Sequence, residues 1–178
     1  MIKIGVIGYG YWGPNIVRNF NQADGCKVLS ICDQSQKSLG RARKANPYIT
    51  TTADCGETLS SPDIDAVAIV TPVSTHFEFA KKALMNGKHV FVEKPFTASI
   101  REAEELVNLA EKKKLIIMVD HTFIFTGAVK KMKQLIDDEV LGEPYYYDSV
   151  RVNLGLFQSD VNVVWDLGPH DFSILDYL

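Results

Sequence analysis

Short runs of β-branched and aliphatic residues alternate along this chain with stretches whose apolar residues recur every three or four positions. Ile2 to Ile7, Lys27 to Cys32, Ala66 to Val70, His89 to Val92 and Leu115 to Val119 are nearly continuous in apolar residues, and a weaker run spans Tyr48 to Thr51. Continuity rather than strict alternation marks strands covered on both faces. Strands separated by helical stretches mark parallel pairing through crossover helices. The clearest helix is expected between Ser99 and Lys114, where Ala103, Leu106, Val107 and Ala110 make one apolar stripe. Its ends are marked as well: Ser99 with Glu102 forms a capping box, Glu104 and Glu105 come early, and Lys112 to Lys114 come late, matching the helix dipole.

After Val119 the pattern changes. A helix is expected from about Thr126 to Asp138, then a break at Gly142-Glu143-Pro144, then a long strand from Tyr145 to Leu154. The break and the change of order predict two domains, 1–120 and 121–178. The last residues, Phe172 to Leu178, read as an amphipathic helix with no C-cap signal, so the second domain is expected to be truncated.

Composition narrows the class. The 178 residues are 46% hydrophobic and 23% charged, as in ordinary folded proteins, and the formal net charge of -3 argues against nucleic acid as a partner. The apolar runs fall far short of the roughly 20 residues that span a bilayer. The first residues read as a strand rather than a signal peptide, so the expectation is a cytoplasmic protein with no membrane partner. Cys26, Cys32 and Cys55 form no CxxC pair and are expected as free thiols.

The first candidate site is Gly8-Tyr9-Gly10-Tyr11-Trp12-Gly13, a GxGxxG loop between a strand and a helix that starts at Pro14. In a dinucleotide-binding turn the first glycine permits the tight bend, the second lets the backbone approach a pyrophosphate, and the third lets helix and strand pack closely. The N–H groups of the helix start hold the anion. Trp12 either covers the cofactor or packs on a neighbouring helix. Asp33 follows the second strand, about 20 residues beyond the last glycine, where a carboxylate accepts the ribose hydroxyls and repels a 2′-phosphate. NAD is therefore favoured over NADP, although Lys37, Arg41 and Arg43 are placed to soften that exclusion. The fold expected is a doubly wound Rossmann α/β sheet followed by the start of an α+β domain.

Three further segments separate this chain from generic Rossmann proteins: Thr71-Pro72-Val73-Ser74-Thr75-His76, Glu93-Lys94-Pro95, and Asp166-Leu167-Gly168-Pro169-His170-Asp171. Together with the glycine loop and Asp33 they resemble the Gfo/Idh/MocA oxidoreductases, the family of glucose-fructose oxidoreductase and inositol 2-dehydrogenase, over the whole chain. The resemblance implies hydride transfer between a sugar or sugar-nucleotide alcohol and NAD. It implies that Lys94 lies beside nicotinamide and substrate and that Pro95 follows a cis peptide bond. An ammonium there stabilises the developing alkoxide. It further implies that Asp166 and His170 sit in the reaction site, His170 as general base and Asp166 as the group that orients it or the substrate. Thr71 and Pro72 are expected to contact the dinucleotide, and Glu93 to shape its turn or meet the nicotinamide ribose. His76 either joins that contact or caps the following helix.

No metal is expected, because His76, His89 and His121 form no ligand-spaced set with Asp166 and His170. Asp120-His121-Thr122-Phe123 departs from relatives with a glycine at the first position and resembles a branch acting on sugar nucleotides, as does the segment from Arg151 to Asn162. Arg151 and Asn153 either meet such a substrate or serve sheet pairing. Family members complete their pocket and their homo-oligomer interface in a sheet beyond this chain, so cofactor binding without efficient turnover is expected. The alternative is a non-catalytic dinucleotide sensor of the same fold.

Overall fold

The computed structural model describes residues 1–152 and 161–178. They divide into two compact units, Met1–Val119 and Asp120–Leu178. The first unit runs β1 (Ile2–Ile7), α1 (Gly13–Gln22), β2 (Cys26–Cys32), α2 (Gln36–Ala45), β3 (Thr50–Thr52), α3 (Cys55–Ser60), β4 (Ala66–Ile69), α4 (His76–Met85), β5 (His89–Val92), α5 (Ile100–Lys113) and β6 (Ile117–Val119). The sheet has the order β3-β2-β1-β4-β5-β6, and each neighbouring pair is parallel. All six strands fall within the runs expected from the sequence or within two residues of them.

Two cores, one on each face, explain why the strands are continuously apolar. Val67 and Ile69 of β4 point to one face, where Leu59 of α3, Ala80 and Leu84 of α4, and Leu106 and Ala110 of α5 cover them. Ala68 points to the other, where Ile16 and Val17 of α1 and Ala42 of α2 pack with Val6, Val28 and Ile31. Winding reverses between β1 and β4, which opens a crevice at the carboxyl ends of these strands. Ligands of doubly wound sheets bind there.

The second unit contains a 3-10 turn (Thr122–Phe125), α6 (Gly127–Asp137), α7 (Val163–Asp166) and α8 (Gly168–Tyr177). The strand expected from Tyr145 to Leu154 is not found: 145–152 are irregular, and Asn153 and Leu154 lie outside the described residues. A strand exists only through its ladder, and the described residues of this unit include no second strand to pair with. The run of tyrosines is instead largely exposed, Tyr145 at 93%.

The cysteines correct a second expectation. Cys32, the last residue of β2, and Cys55, the first of α3, are joined in a disulfide with Cα atoms 5.6 Å apart, and Cys26 alone is free. The chain leaves β2, makes α2 and β3, and returns to the same end of the sheet, so residues 23 apart in sequence meet. No helix among the described residues is long and apolar enough to cross a membrane.

Candidate functional site

The glycine loop leaves β1 where the winding reverses. Gly8 has φ +101°, and a side chain there would strike the Val70 carbonyl. A Cβ on Gly13 would lie 2.5 Å from the Gly8 carbonyl oxygen. Around Gly10 there is nothing within 4 Å of where a Cβ would stand. The outer glycines are thus demanded by the protein's own packing, and the middle one faces the open space that an approaching pyrophosphate needs. Pro14 occupies the first turn of α1, and Trp12 provides no side-chain cap. These residues fit the phosphates of a dinucleotide.

Asp33 is tied into this loop. One carboxylate oxygen accepts the Tyr9 N–H at 2.6 Å and the other the Ser35 N–H at 2.7 Å, while further lone pairs remain for ribose hydroxyls. From α2, Arg41 donates to the Tyr9 carbonyl at 3.0 Å and to the Ser38 hydroxyl at 3.2 Å, and Arg43 donates to the Thr51 hydroxyl at 2.7 Å. The Tyr9 ring is buried, its hydroxyl accepting from the Asn46 amide. Tyr11 and Trp12 are exposed at the loop surface and stack on each other with centroids 6.2 Å apart. The support from Arg41 and Asn46 has no signature in the sequence. An arginine 32 residues from its partner leaves no local signal.

The loops after β4 and β5 carry Thr71, Pro72, Glu93 and Lys94. The Thr71 and Thr75 hydroxyls are 2.7 Å apart, and Thr75 also donates to the Pro72 carbonyl at 2.8 Å. Pro72 is exposed, while Thr71, Glu93 and Lys94 are half-buried. The Glu93 N–H donates to the Ile69 carbonyl, extending the β4–β5 ladder to the motif, and the Lys94–Pro95 bond is cis. The His76 ring is buried, with its two nitrogens against the Thr71 and Pro95 carbonyls.

Asp166 closes α7 and His170 lies in the first turn of α8, both in the second unit, whereas Lys94 belongs to the first. His170 packs edge-on against Phe123, centroids 4.7 Å apart, and the Arg151 guanidinium lies 5.2 Å from the centre of the same ring. Asp171 accepts from Arg151 Nε at 2.6 Å and from the Ser149 hydroxyl at 2.7 Å. The bond from Arg151 holds the Asp171 carboxyl below the usual carboxylate range. Burial pushes the His121 imidazole down, against the opposing charge of Asp120.

Residues 2–121 match the profile of an oxidoreductase family with an NAD-binding Rossmann fold, Gfo/Idh/MocA. The chain is 30% identical to a scyllo-inositol 2-dehydrogenase (NAD(+)) of Bacillus subtilis, with 100% of this chain and 52% of that one covered. It is 28% identical to a UDP-N-acetylglucosamine 3-dehydrogenase of Acidithiobacillus ferrooxidans, covering 97% and 53% respectively. Among solved structures, scyllo-inositol dehydrogenase from Lactobacillus casei, with bound cofactor NAD(H) and scyllo-inositol, superposes with a TM-score of 0.75 at 28% identity, over 80% of this chain and 42% of the other. The chain thus spans about half the length of the curated relatives it matches.

Proposed function

This chain belongs to the Gfo/Idh/MocA oxidoreductases, and from that premise we propose that it forms the cofactor-binding part, and some of the reaction site, of a dehydrogenase acting on a secondary alcohol of a sugar or nucleotide-linked sugar. The observation that carries this reading is the open space at Gly10 beside a carboxylate, Asp33, already locked to the loop. The bound nicotinamide dinucleotide supplies the hydride acceptor. The protein's own groups do the rest: Lys94 stabilises the developing alkoxide, His170 takes the hydroxyl proton, and Asp166 orients it.

NAD is preferred over NADP in this reading. Asp33 repels a 2′-phosphate, and that repulsion outweighs Arg41 and Arg43, which donate to the Tyr9 carbonyl, the Ser38 hydroxyl and the Thr51 hydroxyl. The nucleotide-sugar branch is supported by Asp120-His121-Thr122-Phe123 and by the name of the Acidithiobacillus relative.

Titration of NADH and NADPH into the chain, followed by energy transfer from tryptophan, tests the reading, because Trp12 sits in the loop. NADH is expected to bind at least tenfold more tightly than NADPH, a difference of about 1.4 kcal/mol. Little or no turnover of sugars or sugar nucleotides is expected from these 178 residues. Equal affinities would overturn the cofactor preference, absence of binding would overturn the site, and turnover at an ordinary enzymatic rate would overturn the division of labour.

A further inference from the structure

His76 is 1% exposed, on the first turn of α4. Its Nε2 lies 2.7 Å from the carbonyl oxygen of Thr71, and its Nδ1 lies 2.9 Å from the carbonyl oxygen of Pro95. A carbonyl oxygen only accepts, and a neutral imidazole carries one N–H. A neutral ring therefore serves one carbonyl and turns a lone pair toward the other at hydrogen-bond distance. A doubly protonated ring donates to both. Burial and the dipole at the start of α4 oppose the charge, and two short charge-assisted bonds offset them.

We propose that His76 is a positioning residue, an imidazolium that ties the loop after β4 to the loop after β5. The first of these loops is closed on itself by the Thr71–Thr75 and Thr75–Pro72 bonds. The second carries Lys94 immediately before the clasped proline. One side chain therefore sets Thr71, on the cofactor side, in register with Lys94, on the reaction side. The roles of Thr71 and Lys94 rest on the function proposed above. The clasp itself is a property of the folded chain.

The test has two parts. In the chain labelled with 15N-histidine, long-range proton–nitrogen spectra at pH 7 are expected to show both ring nitrogens of His76 protonated, with slowly exchanging N–H protons. The resonance is assigned by its loss in His76→Gln. A neutral ring with a single N–H would overturn the proposal. In the second part, His76→Leu, which fills space without donating, is expected to weaken NADH binding about tenfold and to shift the backbone amide resonances of Thr71 and Lys94, with partial recovery in His76→Gln. A folded His76→Leu chain with unchanged NADH affinity and unshifted Lys94 would overturn it equally. If the leucine variant fails to fold, the ring spectrum still decides. If the unmodified chain binds no NADH, the functional reading fails, while the ring spectrum, which needs no cofactor, judges the clasp separately.

Discussion

Gly8, Gly10 and Gly13 are indistinguishable as letters and differ sharply in what surrounds them. Alanine at Gly8 meets a backbone oxygen and a φ of +101°, and alanine at Gly13 meets the Gly8 carbonyl, so neither can be relieved by rotating a side chain. Each substitution is expected to cost about 2 to 4 kcal/mol, read as a lowered melting temperature. Gly10→Val enters open space, so it is expected to leave the melting temperature unchanged while reducing NADH affinity at least tenfold. If Gly10→Val destabilises the chain as Gly8→Ala does, the middle glycine serves packing and the cradle is misassigned. Asp33→Ser removes an acceptor of the Tyr9 N–H and, on the proposed function, the ribose acceptor, so it is expected to narrow the proposed preference for NADH about tenfold in paired titrations. The motif made these residues legible in sequence because glycine spacing is local. Their supports, Arg41 and Asn46, reach Tyr9 across 32 and 37 residues, and no spacing rule announces them.

Elements were legible to the extent that their signals lie within them. The Ser99 hydroxyl accepts the Glu102 N–H as the capping box requires, although Glu102 reaches back to Ala98 rather than to Ser99. The run from Tyr145 failed as a strand because strand formation depends on a partner that its own pattern does not contain. What holds its described end is a charge pair, Arg151 with Asp171 on α8. The described residues of the second unit include two acid-sensitive points with separate windows. His121, ahead of α6, has a lowered folded value, so the unfolded chain binds more protons below its ordinary value of about 6.5. Its contribution to stability is present above that pH and lost as pH falls toward the folded value. Asp171 is also lowered, so its contribution is present above the ordinary carboxylate range, near 4, and lost as pH falls through its folded value. Being partly exposed, that pair is expected to contribute only about 0.5 kcal/mol. Melting temperatures measured from about pH 6.5 to about pH 3, below the window in which the charge on His76 varies, should fall in two stages. His121→Asn should remove the upper stage and Asp171→Asn the lower, and an upper stage that survives His121→Asn would assign it to another group.

At the scale of the molecule, the doubly wound order of the sheet was legible because the crossover rule and the glycine loop leave few alternatives. The disulfide was not, since two cysteines 23 residues apart carry no pairing signal until β2, β3 and α3 assemble. By loop entropy a bridge of that span stabilises the folded chain by about 3 kcal/mol. The oxidised chain, denatured without reductant, is therefore expected to expose one titratable thiol, Cys26, and after dithiothreitol three, with the melting temperature lowered by roughly 10 °C. Three thiols in the oxidised chain, or a melt indifferent to reduction, would count against the bridge. Cofactor affinity should respond much less than stability. Cys32 directly precedes Asp33, but that carboxylate is held from its other side by the Tyr9 and Ser35 N–H groups, which reduction does not touch. A reduced chain that melts earlier yet binds NADH within about twofold of the oxidised one would show that the bridge secures the fold and the glycine loop secures the acid.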